Sequence, residues 1–200
     1  QKTAYEIKEC DWSSDVCSSD LPHSPEFFGW SHINGLNYFL KNKLINHNED
    51  DVVLLLDHDI FLISNLSFIF NKINEYSISS IVQKRNKVYH LWPGLIIFNI
   101  KKCLNLNELN LNGLDNADEL LEGEKVDVGG KSYLYLKKYQ DKITLFDLNN
   151  FFYAGYKNSD KPKNSDIFYH IRNASNWDGD FQMWKTNINK TIDYWNIIQG

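Results

Sequence analysis

Methionine occurs once in the 200 residues, proline four times and cysteine three times, and every apolar run is of strand length. Runs that short exclude a membrane-spanning helix, which needs about 20 apolar residues. Two of the cysteines, Cys10 and Cys17, fall in the first 21 residues, which leaves Cys103 alone in the remainder. One cysteine cannot build an internal disulfide framework or a cysteine-based zinc site, and nothing points to an oxidising compartment. Charge of one sign is also scarce. The formal net charge is −5, and residues 1–21 hold two lysines against five acids, so the rest carries −2. A general nucleic-acid binder would show a basic excess or stripe, and none is visible.

The first 21 residues match no structural element. "DWSSDVCSSDL", Asp11 to Leu21, has no apolar repeat of strand or helix period. It resembles, residue for residue, one reading frame of a sequencing-library adapter, and "QKTAYEI" resembles the outer amplification primer that precedes it. Residues 1–21 are therefore expected to be a translated artefact, disordered or loosely attached, and 22–200 a single domain. That length suits one compact domain and is short for two.

Strand and helix patterns alternate along residues 22–200. "SHINGLNYFLKNKL" spaces Leu36, Phe39, Leu40 and Leu44 by three and four, which predicts a helix with Ser31 or Asn34 near its start. "VVLLLD" is an apolar run without alternation, as expected of a strand buried on both faces of a partly parallel sheet. "LSFIFNKINEY" is helical again; "ISSIVQ" and "GLIIFNI" read as strands. Residues 101–125 read as the least structured stretch, with leucine and asparagine alternating too briefly for a solenoid. "SYLYLKKYQ" is helical, "ITLFDL" and "IFYHIR" are strands, and "FQMWKTNINKTIDYWNII" is an amphipathic terminal helix. Such alternation predicts an α/β sandwich around a mixed central sheet.

The most informative segment is "DDVVLLLDHDIFL". A strand ending in Asp57-His58-Asp59 sets two carboxylates beyond the carboxyl end of a sheet strand, where α/β folds place ligands. If the strand continued, the two acids would point apart; a turn lets both reach one ion. Two carboxylates with open positions suit Mg²⁺ or Mn²⁺, which keep waters and accept phosphate oxygens. His170 follows an apolar strand and, taken alone, reads as a histidine that bonds locally.

Other candidates carry two readings each. Asp127, before Gly129 and Gly130 and a helix, is either a general base or a plain N-cap. The two glycines allow close approach of a sugar or acceptor, or simply make a turn. Trp92 offers a flat face for a sugar ring, with Gly94 leaving room beside it, or it belongs to the core. Lys84 and Arg85 either pair with phosphate or form a solvated edge. Asn176 and Trp177 either close over a diphosphate or pack the last helix.

These segments together resemble the GT-A-fold nucleotide-sugar glycosyltransferases of the D-x-D type. "SHINGLNYFL", with His32 and Gly35, resembles the helix that precedes the motif strand. "LWPGLIIFNI" resembles the W-x-G segment, "DVGGKSYLYL" the D-x-G-G turn, and "YHIRNASNW" the late H-x-x-G-x-x-x-W motif, with Asn173 or Ala174 where glycine is usual. The resemblance implies a GT-A-like (Rossmann-like) fold and transfer of a sugar from a nucleoside-diphosphate donor to a glycan or lipid-linked hydroxyl acceptor. It further implies Mn²⁺ or Mg²⁺ held by Asp57, Asp59 and His170, a base at Asp127, and donor or acceptor contacts from His32, Gly35, His58, Lys84, Arg85, Trp92, Gly94, Gly129, Gly130, Asn176 and Trp177. A cytoplasmic site in surface glycan assembly follows from the same resemblance. So does the expectation that a first strand and helix, which hold the nucleoside, once stood where residues 1–21 now are. Two other readings are a degenerate, non-catalytic sugar-nucleotide binder and a haloacid-dehalogenase-like phosphatase. The latter wants Thr or Val where Phe61 stands.

Overall fold

The computed structural model describes residues 28–44, 48, 50–57, 60–85, 87–114, 126, 128–155 and 165–171. Within them lie three α-helices, α1 (Phe28–Asn42), α2 (Ser67–Ile73) and α3 (Ser132–Tyr139). The strands are β1 (Val52–Leu56), β2 (Ile60–Leu62), β3 (Ile78–Arg85), β4 (Val88–Asn99), β5 (Leu145–Asp147), β6 (Phe152–Gly155) and β7 (Phe168–Ile171). They form a four-stranded sheet in the order β1-β4-β3-β5 and a three-stranded sheet in the order β2-β7-β6. In the larger sheet β4 runs antiparallel to both β1 and β3, while β5 is parallel to β3. The protein is thus α/β with mixed sheets, as the alternating pattern implies.

Period-two geometry sends successive residues of each strand to opposite faces, and both faces are apolar. Val53 and Leu55 of β1 join Ile96 and Phe98 of β4 under α1 and α3, with Leu40, Leu44, Tyr135 and Tyr139. Leu54 and Leu56 join Leu95 and Ile97 on the other face, against Ile69 and Ile73 of α2 and Phe168 of β7. A run such as "VVLLL" has no alternation because it serves two cores at once. The leucine-asparagine stretch follows a related logic: Leu106, Leu109 and Leu111 are buried in the α1-α3 core while Asn105 takes a left-handed φ of 48°.

Several expectations need correction. The first helix begins at Phe28, so Ser31 and Asn34 lie inside it rather than at its start. β1 is the outermost described strand of its sheet, and Val52 is 36 % exposed, so it is less enclosed than an all-apolar run suggests. β4 starts at Val88, well before "GLIIFNI", and carries Pro93 in its interior. Proline lacks the ladder N–H and survives there because the strand bulges. Ser80 pairs with Ile96 and Val82 with Leu91, so Trp92, Pro93, Gly94 and Leu95 oppose the single residue Ile81. The predicted terminal helix lies outside the described residues. No described helix is long and apolar enough to cross a membrane.

Candidate functional site

β1 delivers Asp57 to the carboxyl end of its strand, and the chain turns there. The Ile60 amide donates to the Asp57 carbonyl at 3.1 Å, closing a four-residue turn around the D-x-D triplet. Turn closure is the condition under which both carboxylates can reach one point. His58 and Asp59, the two central positions, lie outside the described residues. After the turn, Ile60 of β2 pairs antiparallel with His170 of β7. Paired residues in such ladders have Cα atoms about 5 Å apart. The strand pairing therefore brings His170, 113 positions downstream of Asp57, to the end of the turn.

The β4 bulge lies against the same place. The Asp57 amide donates to the Gly94 carbonyl at 2.8 Å, extending the β1–β4 ladder by one bond past Leu56. Two positions earlier on β4, the indole of Trp92 folds over Gly94. A Cβ at Gly94 would lie 2.5–2.8 Å from three atoms of the indole benzo ring. Trp92 also meets His170, with ring centroids 5.0 Å apart, and Phe152, at 5.4 Å in an edge-on arrangement. It is half-buried and packs against the α2-side core. The room that Gly94 leaves is thus filled by the chain's own tryptophan.

The glycine turn before α3 is likewise packed against the chain itself. Gly129 has φ +90°, and a Cβ there would sit 2.1 Å from the Leu91 carbonyl oxygen. At Gly130 it would lie 2.8 Å from the Leu114 amide nitrogen. The Gly129 amide donates to Leu111 O at 2.7 Å and the Lys131 amide to Asn112 O at 2.9 Å. Ser132, buried at the start of α3, accepts a hydrogen bond from the Leu91 amide at 2.8 Å. These bonds tie the turn to β4 immediately next to Trp92. Asp127 lies outside the described residues, between Val126, which bridges to Leu114, and Val128.

The sequence reading assigned no role to Asn37. Its side chain accepts from the Leu111 amide at 2.8 Å and donates to Asn112 Oδ1 at 2.8 Å. It thereby holds the segment on which the glycine turn hangs. A polar residue on the inward face of an amphipathic helix was the available signal.

The remaining candidates are spread around this centre. Lys84 and Arg85 end β3, which is parallel to β1, so they lie toward the same sheet edge as Asp57. The Lys84 ammonium sits 5.1 Å from the ring of Tyr89, which is 50 % exposed. Gly35 is half-buried in α1, and the side chain of His32 lies outside the described residues, as do Asn176 and Trp177.

Among the described residues no three His, Cys, Asp or Glu side chains converge as a metal-holding group. Two of the donors expected around the turn, His58 and Asp59, are outside that set. The donor types described fit a hard divalent ion: the carboxylate residue Asp57 at the end of β1, with an imidazole on the strand that pairs with β2. No protein-family model, curated protein sequence or solved structure matches the chain.

Proposed function

We propose that this chain is a metal-dependent glycosyltransferase domain of GT-A type, transferring a sugar from a nucleoside-diphosphate donor to a hydroxyl acceptor. One observation carries the reading: at the carboxyl end of β1 the Ile60 amide bonds back to the Asp57 carbonyl, and His170 pairs with Ile60. Turns at that end of an α/β sheet are where ligands bind.

In this reading Asp57, Asp59 and His170 hold Mn²⁺ or Mg²⁺. A divalent ion there supplies Lewis-acid neutralisation of the charge that develops on the departing nucleoside diphosphate. Lys84 and Arg85, toward the same edge, offer further positive charge to the phosphates. If the transfer inverts configuration, Asp127 accepts the proton of the acceptor hydroxyl as that oxygen attacks the anomeric carbon. The glycine turn that follows Asp127 in sequence is pinned to β4 and to the Asn37-held segment. Trp92 packs beside His170 rather than standing clear as a platform.

The test is thermal shift of the protein against a panel of nucleoside diphosphates with and without Mn²⁺, beside Asp57→Asn and Asp59→Asn. Stabilisation that requires metal and nucleotide together, and disappears in both variants, is the expected result. A cooperatively melting protein that no pair stabilises would sink the reading and favour a degenerate domain.

A further inference from the structure

The two sheets share the α2-side core, and the turn at Asp57 is one of the places where they meet. Asp57 ends a strand of the larger sheet; His170 belongs to the central strand of the smaller one. The chain passes between the two sheets at the turn and again at residues 148–151, and the α2-side core packs both together. The β4 bulge also touches both sides, directly beside Asp57 and His170. Its Gly94 carbonyl takes the Asp57 amide at 2.8 Å. Its Trp92 ring lies against His170 at 5.0 Å and Phe152 at 5.4 Å, both on the smaller sheet, and Phe152 is itself 5.8 Å from His170.

We propose that Trp92 is a positioning residue: its indole, laid over Gly94, fixes the His170 imidazole relative to Asp57 and so pre-forms the ion site. The inference rests on the metal-dependent reading above. Each part of the bulge has a place in it. Three extra residues on β4 opposite Ile81 let the strand swing out far enough for an indole to fold back. Glycine at position 94 is required because any Cβ would enter the indole ring. Phe152 packs against both the indole and the imidazole, so the three rings form one mutual cluster in which the imidazole loses rotamer freedom before an ion arrives. A ring held in advance costs less to order on binding.

The experiment is binding of Mn²⁺ alone, followed by the electron paramagnetic resonance signal of free Mn²⁺, for wild type, Asp57→Asn, Trp92→Leu, Trp92→Phe and Gly94→Ala. Loss of a partner that orients a metal ligand lowers affinity roughly 10- to 100-fold, which is the expectation for Trp92→Leu. Trp92→Phe keeps an aromatic ring against His170 and should recover most of the affinity. Gly94→Ala displaces the indole from below and reads the same contact should Trp92→Leu fail to melt cooperatively. Wild-type affinity in Trp92→Leu or Gly94→Ala, with binding lost in Asp57→Asn, overturns the positioning role and leaves the metal site standing. Absence of Mn²⁺ binding in wild type, or undiminished binding in Asp57→Asn, removes the reading beneath it and the positioning role together.

Discussion

Replacing Gly129 by alanine should be the most damaging one-carbon change in this protein. Two costs combine at that position. The backbone has φ +90°, which an L side chain occupies only under strain of roughly 1–3 kcal/mol. The new Cβ would also fall 2.1 Å from the Leu91 carbonyl oxygen, a backbone atom that cannot rotate aside. Relief requires the turn to move off β4, which breaks the 2.7 Å bond from Gly129 to Leu111 and disturbs the buried bond from the Leu91 amide to Ser132. Each lost bond is worth about 0.5–1.5 kcal/mol, more where a donor is left buried and unpaired. The total is roughly 3–5 kcal/mol, a large share of the 5–15 kcal/mol typical of a domain. Urea unfolding followed by circular dichroism should show a midpoint lowered by about 2 M at an ordinary m-value. Gly130→Ala meets the Leu114 amide at 2.8 Å without a positive φ and should cost less, and Gly94→Ala, which meets only a side chain, less again. If Gly129→Ala unfolds within 1 kcal/mol of wild type, measured against that "about 3–5" expectation, the close packing of the turn on β4 is wrong.

Asn37→Ala removes both bonds to the 111–112 segment and strands a buried amide; a loss of roughly 2–4 kcal/mol is expected in the same urea assay. A loss below about 1 kcal/mol would mean that the segment finds other partners. Burial pushes the Cys103 thiol up to about 12 from an ordinary 9.0. The folded state then keeps its proton while the unfolded state ionises, so unfolding is favoured as pH rises from 9 toward 12. The melting temperature of wild type should therefore fall more steeply over that window than that of Cys103→Ala, and equal slopes would contradict the burial. The thiol should also resist alkylation in the folded protein and react on unfolding, because the thiolate is the nucleophile.

Much of the frame was legible in the sequence, for reasons that differ by element. β1 and its turn could be read because five apolar residues followed by Asp-His-Asp break sharply in polarity. α1 showed its leucine spacing, although its first turn, "FGW", carries no cap residue and so concealed the true start. β4 was half hidden: "LWPG" contains the two strongest breakers, and only the bulge opposite Ile81 reconciles them with a strand. β2, with three residues, and β6, with four, are too short to display any period. Within the site, the sequence offered a turn after Asp57 as one of two alternatives, and His170 entered beside it only through the family resemblance. That Gly94, Gly129 and Gly130 face the chain's own atoms was not legible, because a sequence shows that space is needed and not what fills it. Asn37 was submerged among many asparagines.

The Asn37 contacts set an order of events as well as a structure. The side chain bonds to residues 74 and 75 positions away, so during synthesis α1 leaves the ribosome long before its partners exist. At typical elongation rates of about 5–20 residues per second, several seconds pass in which an inward-facing amide and the leucines around it have nothing to dock on. β1 can pair once β4 emerges, but α1 must wait as a loosely held amphipathic helix until the leucine-asparagine segment, and then the glycine turn, arrive. Long-range contacts of this kind slow folding. They also mean that the candidate ion site, built from residues 57 and 170, is among the last features the growing chain can complete.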